Sequence, residues 1–463
     1  MGFQAGAYSV HHLFDAAIST GWTMVGYRLP GAKNIDWSIP QDPAPVIWNK
    51  QTEPGFVLAP FSYPTAPAHW IARDITFEGL HSLGDAWIHL PTPLRSALQS
   101  IDSATPLRSA LQSIDSATPL RSALQSIDSA TPPRSDLQSI DSATPPRSAP
   151  QTNDSPFSKL DTPSSSNDLL IQLRKGKDEA VLNAVGRTEF EGQIRLALEE
   201  IEQGRIEKVV LARSEAHIWP SRLHPVDFVG RLCGDYPQAF VNLILHPEWG
   251  LWIGASPELL LELEPAHDRD PASTEPHHWR RLRSMALAGT LPSHGQAEAW
   301  GDKEIREQQV VDDYIAQSWK NRVRNFRRSE RNSIQAGPVQ HLCTQLEGES
   351  NRPLEELVVQ LHPTPAVGGW PKAEALQVIS EIERGSRQLY GGFLGPIASP
   401  DEARLFVNLR TLQLHETQAH VHMGCGILGG SQPHLEWEET VHKSKTLLRH
   451  LLPQNPMDAS AVD

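Results

Sequence analysis

A tandem repeat in the first third of the chain sets the main limit on how this sequence can fold. The segment Thr92 to Ala104, TPLRSALQSIDSA, recurs without change from Thr105 and from Thr118, drifts from Thr131 and fades from Thr144. Its period of 13 residues is shorter than the units of the common helical solenoids. A Thr-Pro step opens every copy and biases the residue before proline away from helix. Each copy holds only a few large apolar side chains, too few to offset the entropy of ordering the segment. The Ser/Pro-rich composition of 92–168 therefore predicts a flexible, disordered insert. A row of short helical turns that docks on a partner is the competing reading. The fold must then be built from what flanks the insert: residues 1–91, and residues 169–455 ahead of a flexible tail at 456–463.

Enough apolar sequence remains for a core, with 39% hydrophobic residues over 463 positions. The net charge of −14, from 41 basic and 55 acidic residues, argues against a general nucleic-acid binder. A small anionic substrate stays possible, because local charges decide that. Cys233, Cys343 and Cys425 are far apart and odd in number, so no disulfide framework or zinc spacing is visible. A reducing, cytoplasmic setting fits. Met1 to Thr23 lacks a basic stretch followed by a long apolar run, and no apolar run reaches the roughly 18 residues of a membrane span. No membrane insertion is expected.

The hydrophobic periodicity predicts short strands in the first 91 residues, at Trp22–Tyr27, Pro54–Ala59 and within Ile71–Leu90. After the insert it predicts a helix over Glu189–Gln203, closed by Gly204. Strands follow at Lys208–Arg213, Phe240–Leu245, Leu251–Gly254, Glu258–Glu262 and Arg283–Ala288. A long helix over Lys303–Val323 carries acids in its first turns, which complements the helix dipole. Leu354–Leu361 and Lys372–Glu383 read as shorter helices. Tyr390–Ile397, Leu405–Leu414 and Ala419–Met423 read as strands, and Glu436–Leu452 as a final helix. Strand runs joined by short turns, with helices in blocks, give an α+β fold with antiparallel sheets rather than a βαβ alternation.

Several places carry candidate chemistry. Gly424-Cys425-Gly426-Ile427 permits close backbone approach to a ligand. Glu436, Glu439 and Lys443 fall on one face of the final helix, as a metal-bridging set or as a solvated surface with an ordinary Glu–Lys pair. Lys208 at an apolar strand can be a desolvated base or can snorkel to solvent. Glu258, just after Gly254-Ala255-Ser256-Pro257, can be a buried general acid or an exposed strand end. Ala288-Gly289-Thr290 is a small-residue turn whose N–H groups could meet a carboxylate. Glu304 and Glu307 are either N-terminal helix acids or the rest of a carboxylate cage, and four carboxylates from two helices suit Mg²⁺. Arg410, alone in an apolar strand, needs an anion, from substrate or from an internal salt bridge. His362 has no second ligand at metal spacing and reads as structural.

The order and spacing of these motifs, from about Glu189 to Leu452, resemble the chorismate-utilising enzymes: isochorismate synthase, salicylate synthase, anthranilate synthase component I and aminodeoxychorismate synthase component I. That resemblance implies two pseudo-symmetric halves, each a curved antiparallel sheet flanked by helices. Residues 169–455 become the chorismate-binding catalytic domain, and 1–91 the N-terminal part of the same fold. Lysine at 208 resembles the isochorismate and salicylate synthases, where it activates water. Ala288 stands where the aminodeoxychorismate type has a nucleophilic lysine. Ala366, within His362-Pro-Thr-Pro-Ala-Val-Gly-Gly369, is the small residue of isochorismate synthases, where lyases and aminating relatives tend to have threonine.

The resemblance thus implies an isomerase that forms isochorismate, with salicylate synthase or a non-catalytic binding protein as alternatives. The product would feed menaquinone, phylloquinone, siderophore or salicylate synthesis. It implies Lys208 as base and Glu258 as acid. Mg²⁺ would be held by Glu307 and Glu439, with Glu304 and Glu436 nearby. Chorismate would be bound by Gly289, Thr290, Ala366, Tyr390, Arg410, Gly424 and Lys443. It also implies a monomer with no glutamine amidotransferase subunit. Two positions depart from the family pattern. Gln308 stands where His or Asn is common, and Arg387-Gln388-Leu389-Tyr390 replaces Arg-Gly-x-Tyr.

Overall fold

A computed structural model describes residues 8–100 and 184–451, apart from 45, 49–52, 80–82, 84–85, 87–88, 267–278, 293–299, 337–338 and 416. Most of the expected insert and the tail at 456–463 lie outside the described residues. The start of the insert does not, and it differs from expectation. Residues 92–100 are helical, with Leu94 and Leu98 fully buried. The Thr-Pro step that reads as a breaker sits in the first turn, where proline's missing N–H costs nothing. The two leucines, four apart, then share one face.

The described strands form two antiparallel sheets. One has nine strands, in the order Gly369–Trp370, Lys208–Ile218, Gln418–Leu428, Thr411–His415, Gly250–Ser256, Phe240–His246, Met24–Arg28, Asp36–Ile39, Ile75–Glu78. The other has ten, including Asn332–Ala336, which pairs off the main path with Val339–Ser350. Its main path runs Arg324–Arg328, Val339–Ser350, Arg280–Pro292, Leu259–Pro265, Glu402–Val407, Phe393–Ser399, Gly55–Ala59, His69–Ala72, Val46–Ile47. Each sheet thus takes three strands from before the insert and the rest from after it. Residues 24–78 complete both halves of the fold rather than forming a separate unit.

Alternation along the strands assigns the faces. Val209 and Leu211 pack with Phe190, Ile194, Val378 and Ile379 under the helices Arg187–Glu202 and Lys372–Ile382. Ala212, one residue on, points the other way, into a cluster between the sheets with Tyr27, Phe56, Phe240, Trp252, Leu389, Tyr390 and Phe406. Phe240 of one sheet stacks on Phe406 of the other, with ring centroids 4.2 Å apart. Each such buried ring contributes about 1.5–3 kcal/mol. The second sheet buries its outer face against Val311, Tyr314, Ile315 and Trp319 of the helix Asp302–Trp319 and against the helix Leu354–Leu361.

Three details differ from the sequence reading. The apolar run at 405–414 is two strands, Glu402–Val407 and Thr411–His415. Arg410 lies between them in a left-handed conformation, φ 48°. Ala288-Gly289-Thr290 is a bulge inside the long strand Arg280–Pro292, with a register shift between Ala288 and Leu291. The helices Val10–Thr20 and Pro225–Asp235 and the strand Val339–Ser350 were not anticipated.

Candidate active site

Lys208 begins its strand with a side chain that is fully buried. Its Nζ lies 3.2 Å from Glu307 Oε1 and makes no hydrogen bond of good geometry. Burial draws its pKa below the ordinary lysine range, against the opposing pull of Glu307 and Glu258. Burial alone would raise Glu307, but Lys208, Lys303 and Lys443 outweigh it and hold the carboxyl at about 2. The pair fits only because residue 426 is glycine. A Cβ there would run into Glu307 Oε1 and crowd Lys208 Cε.

Glu258 follows the strand Gly250–Ser256 and is 3% exposed. The hydroxyl of Ser256 donates to Val407 O at 2.6 Å and accepts from Glu258 N at 3.3 Å. The backbone around Glu258 is therefore fixed to the facing strand. Burial pushes its pKa up to about 8, despite Lys208 and Lys443. At neutral pH it carries its proton.

A second wall gathers hydrogen-bonding groups. At the bulge, Gly289 has φ 70°, and its carbonyl lies 2.9 Å from His341 Nδ1. Thr290 Oγ1 is 3.4 Å from the same nitrogen. Arg410 Nη2 approaches His341 Nε2 at 3.1 Å, and its Nη1 donates to Thr446 Oγ1 at 2.6 Å. An arginine can only donate, so Nε2 of His341 accepts and Nδ1 carries the hydrogen toward Gly289 O. Burial first, then Arg410 and Lys443, lower His341 to about 3, which keeps it neutral. Neither of these Arg410 partners is an anion, and a buried guanidinium in that state is suited to one.

Lys443 donates to Gly424 O at 2.9 Å and pairs with Glu439 at 2.6 Å. Tyr390 stacks on His422 at 5.6 Å, and a Cβ at Gly424 would press on its hydroxyl. One cavity is lined by Glu258, Gly289, Thr290, Glu307, His341, Ala366, Tyr390, Arg410, Gly424, Gly426 and Lys443, among others. Lys208 reaches the cavity through its pair with Glu307, which lines it, and is not itself a lining residue.

The departure at Gln388 has a physical resolution. Its φ of 48° is the left-handed region that glycine adopts freely and other residues at a cost of about 1–3 kcal/mol. Its side chain accepts from Gln413 Nε2 at 2.9 Å, and Arg387 beside it is tied to Val367 O and Val210 O at 2.7 Å each. Gln308 is buried and structural. It donates to Thr344 Oγ1 at 2.9 Å and accepts from Arg331 Nε at 2.5 Å. His362 is also structural, buried with Nε2 3.1 Å from Phe61 O.

A family model described as chorismate binding enzyme matches residues 160–452. The chain belongs to this family. Among proteins similar to this chain is isochorismate synthase EntC of Escherichia coli, 28% identical over 274 residues, 57% of this chain and 66% of EntC. Isochorismate synthase MenF of Bacillus subtilis is 29% identical over 294 residues, 60% of this chain and 59% of MenF. Anthranilate synthase component 1 of Streptomyces coelicolor is 28% identical over 278 residues, 56% and 50% of the two chains. The matches therefore span from half to just under two-thirds of these relatives. Solved structures of DhbC from Bacillus anthracis and MenF from Escherichia coli superpose with a TM-score of 0.61 each, at 18% and 17% identity. They cover 95% and 96% of this chain, and 98% and 92% of their own. Among the described residues no helix is long and apolar enough to cross a membrane.

Two of the remaining acidic candidates, Glu436 and Glu439, are paired with lysines. Glu436, 1% exposed, accepts from Lys303 Nζ at 2.5 Å, while its Oε2 has no hydrogen-bond partner. Burial and the neighbouring Glu439 push Glu436 up to about 7. Burial would lower Lys303, but Glu436, Glu439 and Glu307 raise it above the ordinary lysine range. Glu304 lies against Gly289. Among the described residues, no three His, Cys, Asp or Glu side chains converge tightly enough to hold a metal. His341, Lys303 and Gly426 were not singled out as site residues from the sequence. His341 lies on a strand that the sequence reading did not anticipate, and its partner Arg410 is 69 positions away.

Proposed function

We propose that this chain converts chorismate to isochorismate as a Mg²⁺-dependent isomerase. The observation that carries the reading is the opposed pair of titratable groups. Lys208 is drawn below the lysine range, and Glu258 is raised to about 8. A poised amine and a protonated carboxyl near one cavity are the base and acid of a displacement run at neutral pH. Lys208 takes a proton from a water whose oxygen forms the new bond to C2 of the ring. Both ring double bonds shift by one position, C1=C2 to C1=C6 and C5=C6 to C4=C5, the C4–O bond breaks, and Glu258 protonates the departing hydroxyl to give water. Arg410, Lys443, Tyr390 and the backbone at Gly289, Thr290 and Gly424 bind the two carboxylates, beside Ala366.

The carboxylates suit a hard cation. Glu436 Oε2 is buried without a partner, and burial penalises its charge, which a divalent ion relieves. Glu307 and Glu439 would hold Mg²⁺, with Glu304 and Glu436 nearby, once the paired lysines move aside. When bound, the ion supplies positive charge to the ring carboxylate. The catalytic domain, 169–455, acts as a monomer in the cytoplasm, without a glutamine amidotransferase subunit. The test incubates the purified chain with chorismate and Mg²⁺ and separates the products. Isochorismate is expected. Salicylate with pyruvate would make it a salicylate synthase, and no consumption would overturn an enzymatic role.

A further inference from the structure

The strand Lys208–Ile218 serves two sites. Lys208 and Arg213 are five residues apart, so they point to opposite faces of the sheet. Arg213 is 1% exposed, and its guanidinium lies over the Trp437 ring at 3.9 Å. Its Nε donates to Thr440 Oγ1 at 2.9 Å, while Nη2 has no partner. The nearest acid, Glu215, is at a loose 3.5 Å and sits closer to His217, at 3.0 Å. Arg213 lines a groove of about 1050 Å³ on this outer face, with apolar walls at Val185, Trp437, Val441 and Leu448.

A second positive feature opens onto the same groove. The helix Arg187–Glu202 begins there, and its cap residue Gly186 offers no side-chain acceptor to the first-turn N–H groups. Exposed Lys445 stands at the rim. A helix N-terminus without a side-chain cap, with Glu189 as the one acid of its first turn, and a poorly neutralised guanidinium both favour an anion. The apolar walls favour a ring-sized hydrophobic body.

We propose that this groove binds a small aromatic carboxylate, at a site separate from the catalytic cavity. The carboxylate meets Arg213 and the helix N-terminus as Glu215 swings aside, and the ring lies along Trp437 and Val441. The inference does not depend on the catalytic reading, because the groove lies on the other side of the sheet.

Calorimetry on the full chain with benzoate tests it, with benzamide as the neutral control. Arg213 is too deeply packed to replace safely, so two rim variants carry the test. Val441→Trp fills the groove and is expected to weaken benzoate binding at least about tenfold. Lys445→Glu is expected to weaken it about threefold, with a reduced salt dependence. Neither variant should change turnover of chorismate in the absence of benzoate. No benzoate binding to the wild type, equal binding of benzamide, or binding unchanged in both variants would overturn the proposal. The last outcome would place benzoate in the catalytic cavity.

Discussion

Replacing Glu258 with glutamine tests the buried acid directly, through stability as well as rate. A free glutamate titrates at 4.5, and Glu258 in the folded chain at about 8. A carboxyl raised on folding stabilises the folded state while protonated. That contribution is complete below pH 4.5, falls as pH rises and is gone above about pH 8. Each pH unit in that window is worth about 1.4 kcal/mol, so the whole span is about 5 kcal/mol for a group this buried. Glutamine keeps the shape and cannot ionise. The Glu258→Gln variant should therefore gain on the wild type by about 1.4 kcal/mol per pH unit between pH 4.5 and 8, and then level off. Urea unfolding of both proteins, side by side from about pH 5 to pH 9, measures the difference. Titrating groups that do not sense Glu258 are common to both and cancel, which leaves Lys208 and Lys443 as its coupled neighbours. Parallel curves would mean that Glu258 ionises normally, and the assignment of a neutral acid would fail. In the isomerase assay the same change should cost about 10²–10⁴ in kcat, the usual worth of a positioned acid.

Other changes probe the rest of the site. Lys208→Ala should abolish turnover while chorismate still binds by calorimetry; full activity would sink the base assignment. Gly426→Ala should cut activity to a few per cent or less with an unchanged circular dichroism spectrum, because the new Cβ displaces Glu307; wild-type activity would mean that this pair is not needed. Arg387 and Glu383 form a buried ion pair, and Glu383 also accepts from Ala212 N at 2.7 Å. Glu383→Gln should destabilise the fold by about 3–5 kcal/mol, read as a lower urea midpoint. His341→Phe should raise the KM for chorismate about tenfold or more through the loss of its bonds to Arg410 and Gly289 O, with a smaller effect on kcat.

Much of the frame was legible along the chain because its signals are local. The strands at 208, 240, 251 and 258 follow from apolar runs, and the helices expected from 189, 303 and 436 are observed from 187, 302 and 433. Boundaries slipped where tertiary pairing overrides composition. The strand Lys208–Ile218 runs five residues past its apolar stretch because Gln418–Leu428 pairs along its full length. Arg410 reads as a strand residue, yet its left-handed backbone breaks the strand. The Thr-Pro step at 92 reads as a stop and serves as a helix start.

The sequence by itself determined which chemical groups are available and how neighbours share a face. Lys208, Glu258, Glu307, Glu439 and Lys443 are all readable, because period and residue type are short-range properties. What the tertiary structure decided is their state. Only packing takes Lys208 out of water and leaves it 3.2 Å from Glu307, and only packing buries Glu258 deeply enough to keep its proton. Desolvation depends on every element around a group, and those elements are far apart in sequence, as Lys208, Glu307 and Gly426 show.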